Sequence, residues 1–513
     1  MEKKWWTLVV VCAATFMLLL DVTIVIVALP EIQRGLHASF TDVQWVIDAY
    51  ALTLAALLLT SGSLADRYGR RRLFTVGLSV FTLGSLLCGV SQSPLMLILS
   101  RSAQGVGGAI LFATSLALLA QSFHGKERGV AFGAWGAITG VATGLGPILG
   151  GAITNGISWR GIFLVNLPIG IAALAVTRWK VDESKTPFAS RPDWAGFAVL
   201  TAGLLSLVYG LIRAGEIGWA DTGTVICLCL AGVLLAAFGV VERRGDHPMF
   251  DLSLFRTPTF SGGLIAAFCM NGSLFAMFVY LVLYLQDDLG YSALATGVRF
   301  LLITGASLVA ATAAGRLSSH MPVRWLIGPG LALVGVGLLL MSTLDGTSSW
   351  THLIPGFIVA GLGSGMVNPP LASTAVGVVE PSRSGMASGV NTTFRQIGIA
   401  VGIAVYGSIF TSSLRHNLTH ALSGVPGLSG RGPQIANSLQ QGKIAGVFAV
   451  VPPDTRVQLS YAIHSSFAST LQALLIVSGV LALVGAACST ALIRSRDFVV
   501  SHPEPQRAEP VAV

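Results

Sequence analysis

Residues 5–30 read WWTLVVVCAATFMLLLDVTIVIVALP, an apolar run whose one charge is Asp21. A helix rises about 1.5 Å per residue and needs about 20 apolar residues to cross about 30 Å of hydrocarbon. This run has the length and continues through Asp21 to Pro30. Lys3 and Lys4 precede it as they would a secretory signal, but no small-residue cleavage site follows, so it reads as a retained first span. The same criterion along the chain gives fourteen spans. Seven lie near 5–29, 43–65, 73–92, 95–121, 129–154, 161–178 and 194–213. Seven more lie near 221–241, 260–286, 294–318, 323–343, 351–378, 386–411 and 466–494. The composition agrees: 513 residues, 53% hydrophobic and 11% charged, against about a quarter charged in soluble domains. The expected fold class is an all-α polytopic membrane protein.

A net charge of +8 could suggest a nucleic-acid partner, but the basic residues alternate between loops. Lys3 and Lys4, Arg67 to Arg72, Lys126 and Arg128, Arg178 to Arg191, Arg243 to Arg256, Arg316 and Arg324, and Arg494 and Arg496 fall on one side. The other side holds few, such as Arg34, Arg160 and Arg213. That asymmetry places both termini in the cytoplasm, with the chain in the cytoplasmic membrane and no nucleic acid as partner. The six cysteines lie in apolar runs without metal-ligand spacing, and no metal site is expected.

Gly62-Ser-Leu closes the second span and Gly315-Arg-Leu the tenth. A duplication would make residues 1–192 and 259–495 two six-helix bundles, with 193–258 two inserted helices and 496–513 a cytoplasmic tail. Repeats of this kind build secondary transporters, with the substrate site between them. The segment 412–465 is Gly/Ser/Pro-rich, weakly amphipathic near 447–463, and expected to be a long extracytoplasmic loop.

The turn after span 2 reads Gly62-Ser-Leu-Ala-Asp66-Arg67-Tyr-Gly69-Arg70-Arg71-Arg72. Gly62 and Gly69 permit close approach and a tight turn, while Asp66 can pair with an arginine or a helix N-terminus. Gly62, Asp66, Arg67, Gly69 and Arg70 are therefore expected to latch the cytoplasmic ends in one state. In span 5, Gly140, Gly144, Gly146, Gly150 and Gly151 recur at spacing that allows a facing backbone close, and Pro147 can kink the helix. They are expected to form a dry, deformable seam.

The loop string resembles the signature of the major facilitator superfamily, and other stretches resemble it too. Arg101-Ser-Ala-Gln104-Gly105 is similar to its fourth-helix motif, and Gly140 to Gly151 to its antiporter motif. Trp159-Arg160 with Phe163 to Gly170, and Ser388 to Gly398 in span 13, are similar to further hallmarks. Leu20-Asp21-Val-Thr-Ile-Val-Ile26-Val-Ala-Leu-Pro30 resembles the first helix of the fourteen-span drug:proton antiporters, with Ile26 where that family has Asn. Trp45 to Tyr50, with Asp48, resembles the second helix of quaternary-ammonium efflux pumps, in which both acids are implicated in transport. The resemblance implies a major facilitator fold of two six-helix bundles plus two helices.

Buried charge marks the candidate site, because an ionisable residue at helix centre costs at least about 2.5–3.5 kcal/mol. Asp21, Asp48 and Arg101 lie about 13, 8 and 10 Å from the outer ends of their spans, at similar depth. Arg101 could pair with one acid and leave the other to titrate. Apolar burial favours the neutral carboxyl and a nearby guanidinium the charged one, so pairing that changes with state would load and unload a proton. Arg395 with Gln396, near the midplane, and Gln104 and Asn391 are further cavity candidates. Trp45, Tyr50, Phe275, Phe278, Tyr280 and Tyr284 could line a cavity or pack, and Asp287 and Asp288 would sit at a solvated mouth.

These features point to a monomeric antiporter driven by the proton gradient, without cofactor, exporting amphipathic cationic compounds, antibiotics included. Import, or export of one metabolite, would use the same scaffold. No HExxH, GxSxG with triad partners or GxxxxGK[ST] supports an enzyme or an ATP-driven pump.

Overall fold

The computed structural model describes residues 2–123, 125–184, 193–245, 252–318, 321–379, 384–423, 425, 428, 430–440 and 453–498. Some side chains within helices, Asp66 and Gly140 among them, also lie outside the described set. Among the described residues there are helices and turns but no strand. The long helices begin with α1 Lys3–Leu36, α2 Phe40–Tyr68, α3 Arg70–Gly89, α4 Pro94–Ser122, α5 Gly125–Gly156 and α6 Gly161–Lys180. Then come α7 Trp194–Glu216, α8 Thr222–Arg244, α9 Pro258–Asp288 and α10 Ala293–Leu317. The last are α11 Arg324–Met341, α12 Ile354–Gly377, α13 Ser384–Leu422 and α14 Pro453–Leu492. Thirteen stretches among the described residues are long and apolar enough to cross a membrane, and α5, 32 residues long, stands between α4 and α6. The protein is a multi-pass membrane protein.

Capping residues set the turns. Ser39 and Asp42 form a reciprocal cap on α2, with Ser39 N–H donating to Asp42 Oδ2 (2.8 Å) and Asp42 N–H to Ser39 Oγ (3.1 Å). Asp221 caps α8, where the Thr224 N–H and Arg213 hold its carboxyl below the usual carboxylate range. Helices run antiparallel, so Lys3, Arg70, Arg244, Arg324 and Arg494 share one end of the bundle, here the basic end.

Helix pairings repeat between two six-helix sets. In the first, α2 and α3 pack on α4, α1 on α5 and α6, and α3 on α6. In the second, α10 and α11 pack on α12, α9 on α13 and α14, and α11 on α14. The α7–α8 pair sits to the side, with α7 against α2 and α13. The sets meet along α2–α13 and α5–α10.

One expectation is corrected here. The segment 412–465 is not one long loop: α13 continues to Leu422, α14 begins at Pro453, and Gly432–Gln440 is a short helix. Buried Leu414, Leu418 and Leu422 continue the apolar face of α13, and Leu459, Ile463 and Phe467 that of α14. The serine and glycine content of the segment hid these stripes. Residues 441–452, and with them part of the stretch near 447–463, lie outside the described residues.

Candidate functional site

Arg101, two turns into α4, is fully buried and reaches α1. Its Nη1 donates to Asp21 Oδ2 (2.5 Å) and to Gln104 Oε1 (2.7 Å), and its Nε donates to the Val46 carbonyl of α2 (3.1 Å). Asp21 is 0% exposed, and its Oδ1 accepts from Gln104 Nε2 (2.8 Å) and Asn166 Nδ2 of α6 (3.2 Å). Gln104 and Asn166 also donate to Ser85 Oγ of α3, at 2.8 and 3.3 Å. Five helices are thus tied to one ion pair. The Arg101 guanidinium lies 4.3 Å from the centre of the Tyr50 ring, a cation–π contact that covers its face.

Asp48 is the contrast. It is equally buried, at 0% exposed, yet among the described residues neither carboxyl oxygen has a hydrogen-bond partner. It shares a face of α2 with Gln44, Ala55 and Leu59, at helical spacing. Gln44 Nε2 donates to the Ile403 carbonyl (3.1 Å), the Ala55 carbonyl accepts from Thr393 (3.2 Å), and Leu59 sits over Gly389. This face therefore turns to α13 of the other set. Asp48 is also within electrostatic reach of Tyr280 on α9, whose hydroxyl donates to Ile403 O at 2.7 Å. The structure brings Asp21 and Arg101 together and leaves Asp48, among the described residues, unpaired between the halves.

Arg395 is part-buried on α13. Its Nε donates to Asn391 Oδ1 (3.2 Å) and its Nη1 to Asn368 Oδ1 of α12 (3.3 Å). Gln396 is part-buried beside it.

At the end opposite the basic residues the halves are closed. Arg34 of α1 pairs with Asp287 of α9 (2.7 Å), Gln286 Nε2 donates to Val27 O (2.8 Å), and Phe40 packs on Phe410 and Tyr280. The glycine helix α5 joins here. Gly146 and Gly150 lie against Thr23 and Ile24 of α1. A methyl group at Gly151 would stand 2.5 Å from the Ala293 carbonyl of α10, and Gly297 of α10 abuts the Pro147 carbonyl. Gly136, Gly144, Pro147 and Gly151 fall on one helical face. Yet a methyl at Gly136, Gly144, or Gly315 of α10 would meet nothing within 4 Å. The contact between the two helices at the far end runs through Gly151 and Gly297.

One expectation needs correction: Gln104 lines no cavity, being 0% exposed and bracing Asp21. Of the aromatics read as cavity-lining or packed, Tyr50 packs against Arg101. Tyr280 and Tyr284 are buried with their hydroxyls donating to backbone carbonyls, and Phe278 packs on Phe275 and Phe300. Asp287 and Asp288 are both ion-paired at the far end, Arg34 holding the first in a partly exposed pair and His464 the second (2.9 Å).

At the basic end, Gly69 takes a positive φ of 112°, as the tight turn requires. Arg70 Nη1 reaches the Ala117 carbonyl (3.5 Å) and Gln121 Oε1 (3.4 Å) of α4, Arg67 is exposed, and Gly62 has open space around it. The Asp66 side chain lies outside the described residues. An acid absent from the expected set does the bridging. Glu183, just after α6, accepts the N–H groups of Arg71 (3.0 Å) and Arg72 (3.1 Å) at the start of α3. These contacts stay within the first six-helix set. Asn166 and Ser85 were also not singled out as site residues. An amide near the start of a span, in register with Asp21, was the available signal for Asn166.

The paired six-helix sets and the buried pair between α1 and α4 describe a transporter scaffold, and residues 11–403 match the family profile of the Major Facilitator Superfamily. The chain belongs to the Major Facilitator Superfamily. Among its relatives, the multidrug resistance protein Stp of Mycobacterium tuberculosis (strain CDC 1551 / Oshkosh) is 36% identical over 80% of this chain and 77% of its own. The tetracenomycin C resistance and export protein of Streptomyces glaucescens is 33% identical over 94% and 91%. The puromycin resistance protein pur8 of Streptomyces alboniger is 37% identical over 80% and 82%. In fold, the chain is similar to a bacterial homolog of the human lysosomal transporter Spinster in an inward-facing and occupied conformation. The TM-score is 0.67 at 16% identity, covering 96% of this chain and 98% of that one. As a member of this superfamily the protein is a transporter, not an enzyme.

Proposed function

We propose that this Major Facilitator Superfamily protein is a proton-coupled antiporter that exports amphipathic drugs and antibiotics across the cytoplasmic membrane. The resistance and export relatives support the cargo class, and the loop charges support an orientation with both termini inside.

One observation carries the coupling: among the described residues Asp48 is a buried acid without a hydrogen-bond partner, on the face of α2 turned to the other half. An ionised carboxylate left unpaired in such a place costs several kcal/mol, so it must hold either a proton or a cationic group of the cargo. The two occupants exclude one another, which is what antiport requires. Asp21 plays a different part here: already bound by Arg101, Gln104 and Asn166, it fixes α1, α4 and α6 as one body. Each 100 mV of membrane potential adds about 2.3 kcal/mol per charge moved, enough to drive cargo uphill. One copy holds both acids and the seam between halves, so the unit of transport in this reading is the monomer.

The test is ethidium movement in inverted membrane vesicles energised by a pH gradient, with and without a protonophore. Asp48→Asn should abolish gradient-driven movement. Undiminished, protonophore-sensitive transport by that variant would refute the assignment.

A further inference from the structure

Two arginines within membrane spans, Arg101 and Arg395, are handled in opposite ways. Arg101 is fully buried and neutralised by Asp21. Arg395 lies eleven residues into α13, about 16 Å along the helix. Among the described residues it has no carboxylate partner, and the groups that orient it are the amide oxygens of Asn391 and Asn368. Neutral amides aim a guanidinium without cancelling its charge. Asn368 is fixed in turn, its Nδ2 donating to the Ser364 carbonyl (3.1 Å). Asn391 is only 4% exposed, yet its Nδ2 donor has no acceptor. Among the described residues, an amide donor without an acceptor thus stands beside a guanidinium that no carboxylate neutralises, while Arg395 keeps part of its surface open.

The site faces α9 and α12 of its own six-helix set. Residues 391, 395, 398 and 402 share a face of α13, and Gly398 and Gly402 on that face lie against Phe268 and Gly272 of α9. Gly272 begins to unwind α9, being the second residue of a π turn over Asn271–Phe275. Such turns occur often at functional sites. The opposite pair, Gly389 and Thr393, faces α2.

We propose that Arg395 and Asn391 form an acceptor-binding subsite for a carboxylate or other acidic oxygen of an amphipathic cargo molecule. This deepens the export reading above and rests on it for the identity of the occupant as cargo. Register along α2–α13 places the subsite relative to Asp48. Gln44 is level with Ile403, and Ala55 with Thr393. From either pairing, Arg395 lies about 6–8 Å nearer the basic end than Asp48.

The experiment is equilibrium binding by full-length protein in uncharged maltoside micelles, where no lipid phosphate competes. The probes are pyrenebutyrate and its methyl ester, followed by their own fluorescence. A charge-assisted hydrogen-bonded contact should make the carboxylate bind about tenfold or more tighter than the ester. Arg395→Gln should erase that ratio. Asn391→Asp guards against a folding artefact, because it supplies Arg395 with an internal counter-ion in an isosteric side chain. It should fold and bring the ratio to about one. Equal binding of acid and ester by the parent protein, or a ratio preserved in well-folded Asn391→Asp, would overturn the subsite. Because binding and not coupled transport is read, failure here leaves the coupling role of Asp48 standing, and failure of coupling leaves the binding result standing.

Discussion

Replacing each acid by its amide should separate scaffold from coupling. Asp21→Asn keeps shape but removes the charge facing Arg101, and its new NH₂ group must compete with the donors Gln104 Nε2 and Asn166 Nδ2. Breaking a buried pair by removing one partner costs about 3–5 kcal/mol, because the remaining charge stays buried. For a domain the size of the first six-helix set, that corresponds to roughly 6–20 °C in Tm. Asp48→Asn removes no hydrogen bond and replaces a group with no partner, so its Tm should stay within about 2–4 °C of the parent. The assay is thermal unfolding in detergent, followed with a thiol-reactive fluorophore. The buried Cys88 and Cys269 are built-in reporters, the first beside Gln104 with its Sγ 3.6 Å from Oε1. Equal destabilisation by both substitutions, or a stable Asp21→Asn, would refute the division of labour.

Three further outcomes follow from the packing. Gly151→Ala should disfavour the far-end contact of α5 with α10 by about 1–3 kcal/mol, whereas Gly144→Ala should fit this state without strain. Spin labels at Asn155→Cys and Ser349→Cys, in a background lacking the native cysteines, should show a longer far-end distance in the first variant and not in the second. Arg34→Gln should lower Tm by no more than about 2–4 °C, because the Arg34–Asp287 pair is partly solvent-exposed and such pairs contribute about 0–1 kcal/mol. A larger loss would mean that the far-end closure depends on this pair. Glu183→Gln should weaken the cap on α3 by about 1 kcal/mol, read as faster hydrogen exchange over residues 70–75, with no change there refuting its role.

Much of the architecture was legible because hydrocarbon imposes a length on every span, and the run through Asp21 to Pro30 shows it plainly. Depth counted along helices also brought Asp21 near Arg101, since helix rise is constant. What it could not settle was azimuth. Asp48 and Tyr50 are two residues apart, yet one faces α13 and the other stacks on Arg101. That difference turns on how α2 rotates against its neighbours, a tertiary matter. The same limit misplaced Gln104, whose polar side chain reads equally as cavity lining or as a brace. The extensions of α13 and α14 were hidden because Leu414, Leu418 and Leu422 are diluted by serine, threonine and histidine. Glu183 was missed because an acid in a loop carries no local mark of the helix N-terminus it meets from another part of the chain.

Proton release on cargo binding tests the central claim most directly. Purified protein in weakly buffered detergent solution, with a pH-indicator dye, is mixed with ethidium, and the proton count is compared between parent and Asp48→Asn. Release in the parent that vanishes in the variant is the expected result. Release of equal size from both proteins would show that the proton given up comes from another group.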